Sequence, residues 1–278
     1  MNSSLKITVL SDNIAAAAGV RGEHGLAFLI EAGTRRLLFD TGQGLVLADN
    51  AHALGVDLGA VDAVVLSHGH CDHTGGLADF LRATAGSVTV NAHPDALKPK
   101  YKRDTAGIRY IGMPPGTRET LATGRNRLVL SRTSVEVFPG IRTTGEISRK
   151  HPEEAITEPF CSDIEGRLPD PLLDDQAVFI ETSRGTVIIL GCAHSGVINT
   201  IEHIVQLTAG RPVRAVIGGM HLGSANPERI DWTICELRRF RMELLVPLHC
   251  TGQRASAALW TAFPDSYRPG GAGTVFEL

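Results

Sequence analysis

The sequence has no apolar run long enough to cross a membrane, and the start of the chain lacks the long apolar stretch of a secretory signal. The alanines at residues 15–18 form a short run between Asn13 and Gly19, which is typical of a loop. These absences argue against a membrane protein and against a secreted protein. We therefore expect a protein of the reducing cytoplasm.

The sequence also lacks a disulfide pattern, a strong net charge and a tandem repeat. Its cysteines are odd in number and irregularly spaced, which does not indicate a disulfide framework. They are Cys71, Cys161, Cys192, Cys235 and Cys250. The formal net charge is −3, so the overall charge gives no indication of a nucleic-acid partner. We expect a small-molecule substrate instead.

The composition is that of an ordinary globular protein, with 43% hydrophobic and 21% charged residues. The length of 278 residues allows two domains, but α/β proteins of this size often form one, so we expect a single domain over residues 1–278. Short apolar runs between polar turns predict strands along the whole chain. Apolar residues at helical spacing predict helices near residues 45–54, 198–207 and 227–240.

Residues 67–76, Ser-His-Gly-His-Cys-Asp-His-Thr-Gly-Gly, follow an apolar run that predicts a buried strand. His68 and His70 are two positions apart, so an extended backbone points both side chains the same way. Asp72 and His73 come where the chain begins to turn into a helix. Neutral imidazole and carboxylate groups suit zinc, iron and manganese. Four such residues within six positions at a strand end predict a metal site rather than a solvated loop.

The pattern His-x-His-x-Asp-His, followed by two glycines, resembles that of the metallo-β-lactamase-fold superfamily. An upstream strand that ends in Asp40-Thr41-Gly42 extends the resemblance, which covers nearly the whole chain. Three later segments also match: Gly191-Cys192, Gly218-Gly219-Met220-His221 and Pro247-Leu248-His249. The chain further resembles the branch named for dihydropterin ribofuranosyl-aminobenzene phosphate synthase. That resemblance rests on Asp12-Asn13, Glu23-His24-Gly25, residues 191–196 and residues 249–252.

The resemblance implies an α/β fold, a four-layer αβ/βα sandwich of the metallo-β-lactamase type. Ligand-type residues recur at strand ends, where α/β proteins gather their functional groups. The expected ligands are His68 and His70 for a first metal ion, and Asp72, His73 and His249 for a second.

Two departures from the superfamily pattern affect the remaining ligands. The superfamily often supplies a histidine in a Gly-His-Thr turn, where this chain has residues 144–146, Thr-Gly-Glu. We expect His194 to replace it. The superfamily also commonly has a bridging aspartate where this chain has Cys192. Cys192 is therefore the alternative to His194 as a ligand, or a buried spectator.

Two divalent metal ions, zinc first with iron and manganese as alternatives, lower the pKa of a bridging water in such sites. Asp72 is expected both to bind metal and to orient that water. His221 either donates a hydrogen bond to the substrate or is a satisfied core histidine. These expectations predict a hydrolase that uses a metal-activated water on an ester, lactone or phosphodiester of an anionic small molecule. The alternatives are a pterin-phosphate-type synthase and a non-hydrolytic iron enzyme.

The tripeptide Asp40-Thr41-Gly42 also matches that of aspartic proteases. Their chemistry needs two carboxylates that share a proton, and the sequence has no second copy of the tripeptide, so we exclude it. Two interpretations of Asp40 remain open. Its carboxylate either orients a metal-bound histidine or caps the turn that follows.

Charge is unevenly distributed in two segments that we expect to be excursions from the core. Residues 98–132 carry nine basic and two acidic side chains, whereas residues 142–175 carry four basic and nine acidic ones. The prolines of the acidic segment argue against a long helix, and we expect either a mobile or partner-covered loop or a solvated excursion.

A basic cluster repels itself unless an anion or an acidic surface offsets its charge. The acidic segment can offset it within the fold, or the basic segment can form an interface in a homo-oligomer. The functional interpretation is that basic side chains bind a phosphate or carboxylate of the substrate. Its candidates are Arg103 and Arg109, with Lys100 and Lys102 beside them.

Overall fold

The computed structural model describes residues 5–123 and 126–278, which divide into two compact units. The first unit comprises Met1–Arg132, Thr157–Asp174 and Gly271–Leu278, and the second comprises Thr133–Ile156 and Asp175–Gly270. The segment 142–175 therefore belongs partly to each unit and does not form one excursion. That the whole chain is a single domain stays a prediction.

The first half of the chain supplies most of the first unit. Its elements are β1 Leu5–Ser11, β2 Ala27–Ala32, β3 Arg35–Phe39, α1 Leu47–Ala53, β4 Ala63–Val65, α2 Cys71–Thr74, α3 Leu77–Ala83, β5 Thr89–Ala92, β6 Tyr101–Asp104, β7 Gly107–Tyr110, α4 Pro115–Thr123 and β8 Arg127–Leu130. The later elements are β9 Glu136–Phe138, β10 Ile141–Thr143, β11 Phe160–Cys161, β12 Val178–Thr182, β13 Gly185–Leu190, α5 Val197–Leu207, β14 Val213–Gly219, α6 Pro227–Leu237, β15 Leu244–Leu248, α7 Gln253–Ala262 and β16 Val275–Glu277.

Within its described residues, the first unit has a seven-stranded sheet in the order β16-β1-β2-β3-β4-β5-β8. β1, β2 and β3 pair antiparallel, and β3, β4, β5 and β8 run parallel. The central parallel strand β4 is apolar and buried along its whole length, as expected of a parallel strand whose two faces are covered. Phe80 and Leu81 of α3 pack with Val64 and Val90 in the core of this unit.

The basic segment 98–132 contributes a second, smaller sheet to the first unit. β6 and β7 form a hairpin, and β11 of the acidic segment pairs antiparallel with β6. α4 follows, and β8 returns to the edge of the large sheet. Within its described residues the segment therefore forms strands and a helix, and α4 is an element that was not predicted from the sequence.

In the second unit, the described residues form a six-stranded sheet in the order β15-β14-β13-β12-β10-β9. β13, β14 and β15 are parallel neighbours, so each pair needs a crossover connection, and α5 and α6 supply it. Ile198 and Ile201 of α5 and Ile230 of α6 pack with Ile188 and Val216 in the core of this unit. The three parallel strands end at one edge of the sheet.

Three predicted helices are confirmed with small changes at their ends. α1 and α5 fall within one or two residues of the predicted bounds, and α6 ends at Leu237 before a 3-10 turn that reaches Phe240. A further helix was predicted to begin within residues 67–76. The structure has two helices there, α2 before Gly75 and Gly76 and α3 after them. A Cβ on either glycine would lie 2.3–2.4 Å from a backbone oxygen of the facing loop, so the chain turns there without side chains.

Across the residues that the structure describes, there is no helix of the length and apolarity that a membrane crossing requires. The five cysteines all lie within the described residues, and none of them forms a disulfide there.

Candidate metal centre

Residues 67–76, hereafter the histidine turn, follow β4 and pass through α2. Because β4 is parallel to β3 and β5, the turn starts at the carboxyl edge of these strands, where loops carry functional groups. The backbone N–H of Cys71 donates to the carbonyl of Ile111 at 2.8 Å, and the carbonyl of His73 accepts from the backbone N–H of Thr41 at 2.8 Å. The imidazoles of the turn, those of His68, His70 and His73, are buried.

Asp40 lies directly after β3 and has a left-handed φ of 60°, which is uncommon for a residue other than glycine. Its Oδ2 accepts from Ser67 Oγ at 2.6 Å and lies 2.7 Å from Nδ1 of His73, while Oδ1 accepts from the Ser67 N–H at 2.7 Å. A carboxylate only accepts hydrogen bonds, so Nδ1 of His73 is the donor to Asp40, and Nε2 is the ring nitrogen that faces Asp72. Asp40 therefore contacts the imidazole that the first of the two interpretations has it orient.

His68 and His70 contact each other through their rings. Nε2 of His68 lies 2.9 Å from Nδ1 of His70, and Nδ1 of His68 lies 2.9 Å from Ser67 Oγ. Burial, and then the repulsion from His73 and His70 whenever those neighbours are protonated, hold the pKa of His68 well below its ordinary value of 6.5. His68 is therefore neutral at pH 7, which is the form that binds a metal ion.

Asp72 belongs to α2, and its carboxylate is partly exposed. Its Oδ2 is 3.8 Å from Nε2 of His73 and 3.4 Å from Nε2 of His24. His24 belongs to the Glu23-His24-Gly25 motif and was not predicted from the sequence as a site residue. The adjacent Glu23 explains its position, because that buried carboxylate accepts from the N–H groups of Gln43 and Leu45 at 3.0 and 2.8 Å.

The donor set of the histidine turn fits a divalent metal ion. The three imidazoles and the Asp72 carboxylate are nitrogen and oxygen donors on one short stretch of chain. Asp40 supplies the orienting carboxylate that metal-binding histidines usually have. Zinc, iron and manganese all accept such donors.

In the second unit, ligand-type residues follow each of the three parallel strands. Cys192 and His194 follow β13, His221 follows β14 and His249 follows β15. Ala193, His221 and His249 have left-handed φ values of 55°, 49° and 49°. Such values cost energy in residues other than glycine and cluster at functional sites. We call residues 191–196, 219–222 and 248–251 the donor strand ends.

At the donor strand ends, the structure places the ring centroids of His194 and His221 4.2 Å apart. It also brings together Cys192, His221 and Cys250, whose donor atoms lie within 4.8 Å of one another. Burial alone would raise the pKa of the Cys250 thiol. Hydrogen bonds with Cys192 and His221, together with the charges of His249 and His221, hold it well below its ordinary value of 9.0. The sequence analysis did not propose Cys250 for the site.

A sequence model of the Metallo-beta-lactamase superfamily matches residues 20–202, about two thirds of the chain. The chain belongs to the metallo-β-lactamase superfamily. The resemblance that the histidine turn carried is therefore confirmed.

Two curated relatives come from Methanocaldococcus jannaschii. The chain is 29% identical to its 7,8-dihydropterin-6-methyl-4-(β-D-ribofuranosyl)-aminobenzene-5'-phosphate synthase, over 99% of this chain and 97% of that protein. It is 32% identical to an uncharacterized protein of the same organism, over 91% of this chain and 93% of that protein. The similarity to the predicted branch is confirmed.

Among solved structures, the chain is similar to a crystal structure described as a metal-dependent hydrolase of the β-lactamase superfamily. The TM-score is 0.84 at 29% identity, and the match covers 99% of each chain. The predicted α/β fold of the metallo-β-lactamase type is thereby confirmed.

In this member of the superfamily, two adjacent aspartates each hold a donor-bearing loop of their own unit. Asp174 Oδ2 accepts from the backbone N–H of Gly69, between His68 and His70, at 2.8 Å. Asp175 Oδ2 accepts from the backbone N–H of Ser195, next to His194, at 2.8 Å. Both aspartates are buried, so this part of the acidic segment is not a solvated excursion.

Lys100 is buried with Asp174 and Asp170 and does not border a cleft as the functional interpretation expected. Its Nζ donates to Asp174 Oδ1 at 2.8 Å and to Asp170 Oδ2 at 2.9 Å. Burial opposes the charge of Lys100, but the two carboxylates outweigh it and raise the pKa of the amine. For this lysine, the acidic segment offsets the basic one within the fold.

The two faces of the β6–β7 hairpin separate Arg109 from Arg103. Lys102 pairs with Arg109 and with Phe160, so these three side chains share a face, and the ring of Phe160 lies 5.1 Å from that of His70. Burial raises the pKa of the Cys71 thiol of the histidine turn, and the charge of Arg109 opposes that rise. Arg109 therefore shares the face of the hairpin that carries Phe160, whose ring contacts His70 of the histidine turn.

Arg103 belongs to the opposite face of the hairpin. It pairs with Ile108, and its guanidinium donates to the carbonyl of Gly166. Successive side chains alternate between the two faces of the hairpin, so Arg103 and Arg109, which the sequence grouped together, lie on opposite faces. Of the two arginines, Arg109 is the one on the face of the hairpin that carries Phe160, and that either arginine binds an anion stays a prediction.

Proposed function

We propose that the protein is a metal-dependent hydrolase that acts on an ester, lactone or phosphodiester of an anionic small molecule. The observation that carries the proposal is the buried histidine turn, in which Asp40 orients His73 at 2.7 Å and Asp72 lies 3.8 Å from the same imidazole. The similarity to a structure described as a metal-dependent hydrolase supports it.

The histidine turn would hold the metal through His68, His70, Asp72 and His73. A bound divalent ion supplies a water of lowered pKa and stabilises developing negative charge on oxygen. Asp72 is partly exposed and adjacent to His73, so its carboxylate is suited to orient that water and accept its proton. The sequence predictions that His194 and His249 complete the ligand sets, and that His221 donates a hydrogen bond, stay predictions.

The anionic part of the substrate would bind to Lys102 and Arg109. Both side chains share the face of the β6–β7 hairpin whose Phe160 contacts His70. Arginine donates two parallel hydrogen bonds to a phosphate or carboxylate, and lysine adds a point charge.

A pterin-phosphate-type synthase is the second candidate. It is supported by the 29% identity, over 99% of this chain, to the archaeal synthase. The product named for that relative carries a 5'-phosphate, which is the kind of group that Lys102 and Arg109 would bind. A non-hydrolytic iron enzyme stays an alternative that metal analysis addresses.

The test combines metal content with a substrate screen. We expect purified protein to contain zinc, iron or manganese by mass spectrometry of the elements, and to hydrolyse at least one of a phosphodiester, a lactone or a thioester. His73→Ala should lose metal and activity together, because it removes a donor that Asp40 orients. His52→Ala, an exposed histidine on α1, is the matched control and should keep both.

Full metal content in His73→Ala would contradict the proposed site. Inactivity of the metal-loaded protein on the whole screen would contradict the hydrolase. If the same preparation joins a dihydropterin that carries a leaving group on its 6-methyl carbon to the nitrogen of a ribofuranosyl-aminobenzene phosphate, with release of that group and a proton, the synthase replaces the hydrolase; the mass of the joined product detects this reaction.

A further inference from the structure

An arginine of the second unit is fixed to one of the donor strand ends. Nη2 of Arg149 donates to the hydroxyl oxygen of Ser195 at 3.2 Å. Ser195 is buried and follows His194 in the loop after β13, whereas Arg149 is exposed. The backbone N–H of Ser195 donates to Asp175 at 2.8 Å, so the partner of the arginine is itself held in place. A solvent-accessible positive charge therefore lies at the edge of the sheet where the second unit gathers its ligand-type residues.

The loop that carries Arg149 is anchored to α5 by contacts of other residues. The backbone N–H groups of Lys150 and His151 donate to Oδ1 of Asn199 at 2.8 and 3.3 Å. The buried amide of Asn199 also donates through Nδ2 to the carbonyl of Ser195 at 2.9 Å. One asparagine thus ties the loop of Arg149 to the donor strand end, and this anchor does not use the Arg149 side chain.

Glu154 closes the same loop on the first turn of α5. Its buried carboxylate accepts from the backbone N–H groups of Ile198 and Asn199 at 2.9 and 2.7 Å. Gly196 leaves room for it, because a Cβ at that position would overlap with the Glu154 side chain. The N–H groups of these two helix residues therefore already have a carboxylate partner. An anion at this edge would bind to the guanidinium of Arg149 and not to the helix end.

Neither the stability of the fold nor the charge of Asp175 explains the position of Arg149. A hydrogen bond of an exposed side chain replaces one with water and adds little to stability, while holding an arginine in place costs side-chain entropy. Burial raises the pKa of Asp175, and the backbone N–H groups that its carboxylate accepts oppose that rise more than the charge of Arg149 does. The exposed guanidinium is therefore explained better by a ligand than by the fold.

We propose that Arg149 binds a phosphate or carboxylate group of the substrate beside the donor strand ends and is a specificity-determining residue of the second unit. A planar guanidinium donates two parallel hydrogen bonds to either group. Ser195 orients the guanidinium and Asn199 fixes the loop, so less side-chain freedom is lost when the anion binds. The inference rests on the proposed function for its reaction, and it adds an anion-binding residue to those proposed in the first unit, Lys102 and Arg109.

The test measures how small aromatic probes bind to the zinc-loaded full chain. The probes are phenylphosphonate, benzoate and the neutral benzyl alcohol. The parent protein carries Arg109→Gln, as does every variant, so that the anion-binding residue proposed on the β6–β7 hairpin does not contribute. Titrations followed by NMR of the isotope-labelled protein give the dissociation constants without turnover. Arg149→Gln should raise the dissociation constant of phenylphosphonate, of benzoate or of both about five- to tenfold, because a charge-assisted pair of hydrogen bonds is lost.

The separate probes identify the group that Arg149 binds. A change for phenylphosphonate alone assigns a phosphate to Arg149, and a change for benzoate alone assigns a carboxylate. Benzyl alcohol should bind equally to all the proteins, because it has no charge. Arg149→Lys should recover part of the lost affinity, because lysine keeps the charge without the planar fork.

Arg184→Gln is the matched control. Arg184 is exposed and belongs to the same unit, but it precedes β13 and so lies at the opposite end of that strand from Ser195. The control should leave every dissociation constant unchanged. Hydrolysis is assayed separately, so a protein that binds the probes without turning over a substrate would contradict the proposed function and not this inference.

Unchanged dissociation constants for both anions in Arg149→Gln would overturn the inference. The absence of measurable binding of either anion to the parent protein would overturn it as well. A lower midpoint of urea unfolding in Arg149→Gln, together with unchanged dissociation constants, would show instead that the arginine stabilises the fold.

Discussion

The histidine turn and the donor strand ends both bring ligand-type side chains together, but different features of the fold do so. The histidine turn concentrates three imidazoles and a carboxylate in six consecutive positions, so one backbone turn places them together. The donor strand ends take one or two donors from each of three strands, spread over residues 192–250. Local geometry organises the first group, and the register of a parallel sheet organises the second.

Both regions are held by an aspartate carboxylate that accepts a backbone N–H, but the charge of the carboxylate is balanced differently in the two. Each is held by a buried aspartate that accepts a backbone N–H, Asp174 at the histidine turn and Asp175 at the donor strand ends. Asp174 is also paired with the buried amine of Lys100, whereas burial raises the pKa of Asp175 against the hydrogen bonds that it accepts. The charge of Asp174 is thus balanced by a lysine, and that of Asp175 is stabilised mainly by hydrogen bonds.

We therefore expect the largest effect when the two aspartates are neutralised, as different losses in the free energy of unfolding. Asp174→Asn breaks a buried ion pair and should lower the free energy of unfolding by about 3 kcal/mol. Asp175→Asn removes a charge that burial already disfavours and should cost about 1 kcal/mol. Urea unfolding followed by circular dichroism measures both. Asp79→Asn, an exposed carboxylate on α3, is the control and should stay within about 0.5 kcal/mol, and equal costs at Asp174 and Asp175 would refute the comparison.

The second test asks whether the histidine turn depends on its orienting carboxylate. Asp40→Asn should lower metal affinity about 10- to 100-fold, because an amide has one acceptor oxygen and no charge and cannot accept from both the Ser67 N–H and Nδ1 of His73 as the carboxylate does. Competition with a chromophoric chelator measures the affinity. Ser67→Ala removes a smaller contact of the same carboxylate and should cost less. An unchanged affinity in Asp40→Asn would return Asp40 to the role of a turn cap.

The smallest expected effect concerns the basic face beside the histidine turn. Arg109→Gln should raise KM for an anionic phosphodiester about two- to fivefold and leave a neutral ester unaffected, since exposed charge pairs contribute little. Added salt should likewise weaken the binding of the anionic substrate and raise its KM. Arg103→Gln is the matched control on the opposite face of the hairpin. Equal effects of the two substitutions would remove the distinction between the faces.

The sequence predicted the features that depend on neighbouring residues. Short apolar runs and helical spacing marked the strands and three helices, and the six positions 68–73 sufficed to predict a metal site, with Asp40 upstream as a candidate orienting group. The burial of Lys100 was not predictable, because its partners Asp170 and Asp174 are 70 and 74 positions away. The residue type and the basic segment around Lys100 suggested a cation that faces solvent, whereas the tertiary structure places Lys100 in a buried ion pair.

Sequence by itself determined the superfamily, the α/β fold and the donor set of the histidine turn, because these rest on residue types at short and fixed spacing. Only the tertiary structure decided which face carries Arg109, and which aspartate holds which loop. It also decided that Cys250 joins Cys192 and His221, although every one of these residues is visible in the chain. The physical reason is that sheet register and burial act between residues far apart in sequence, where no local pattern records their contact.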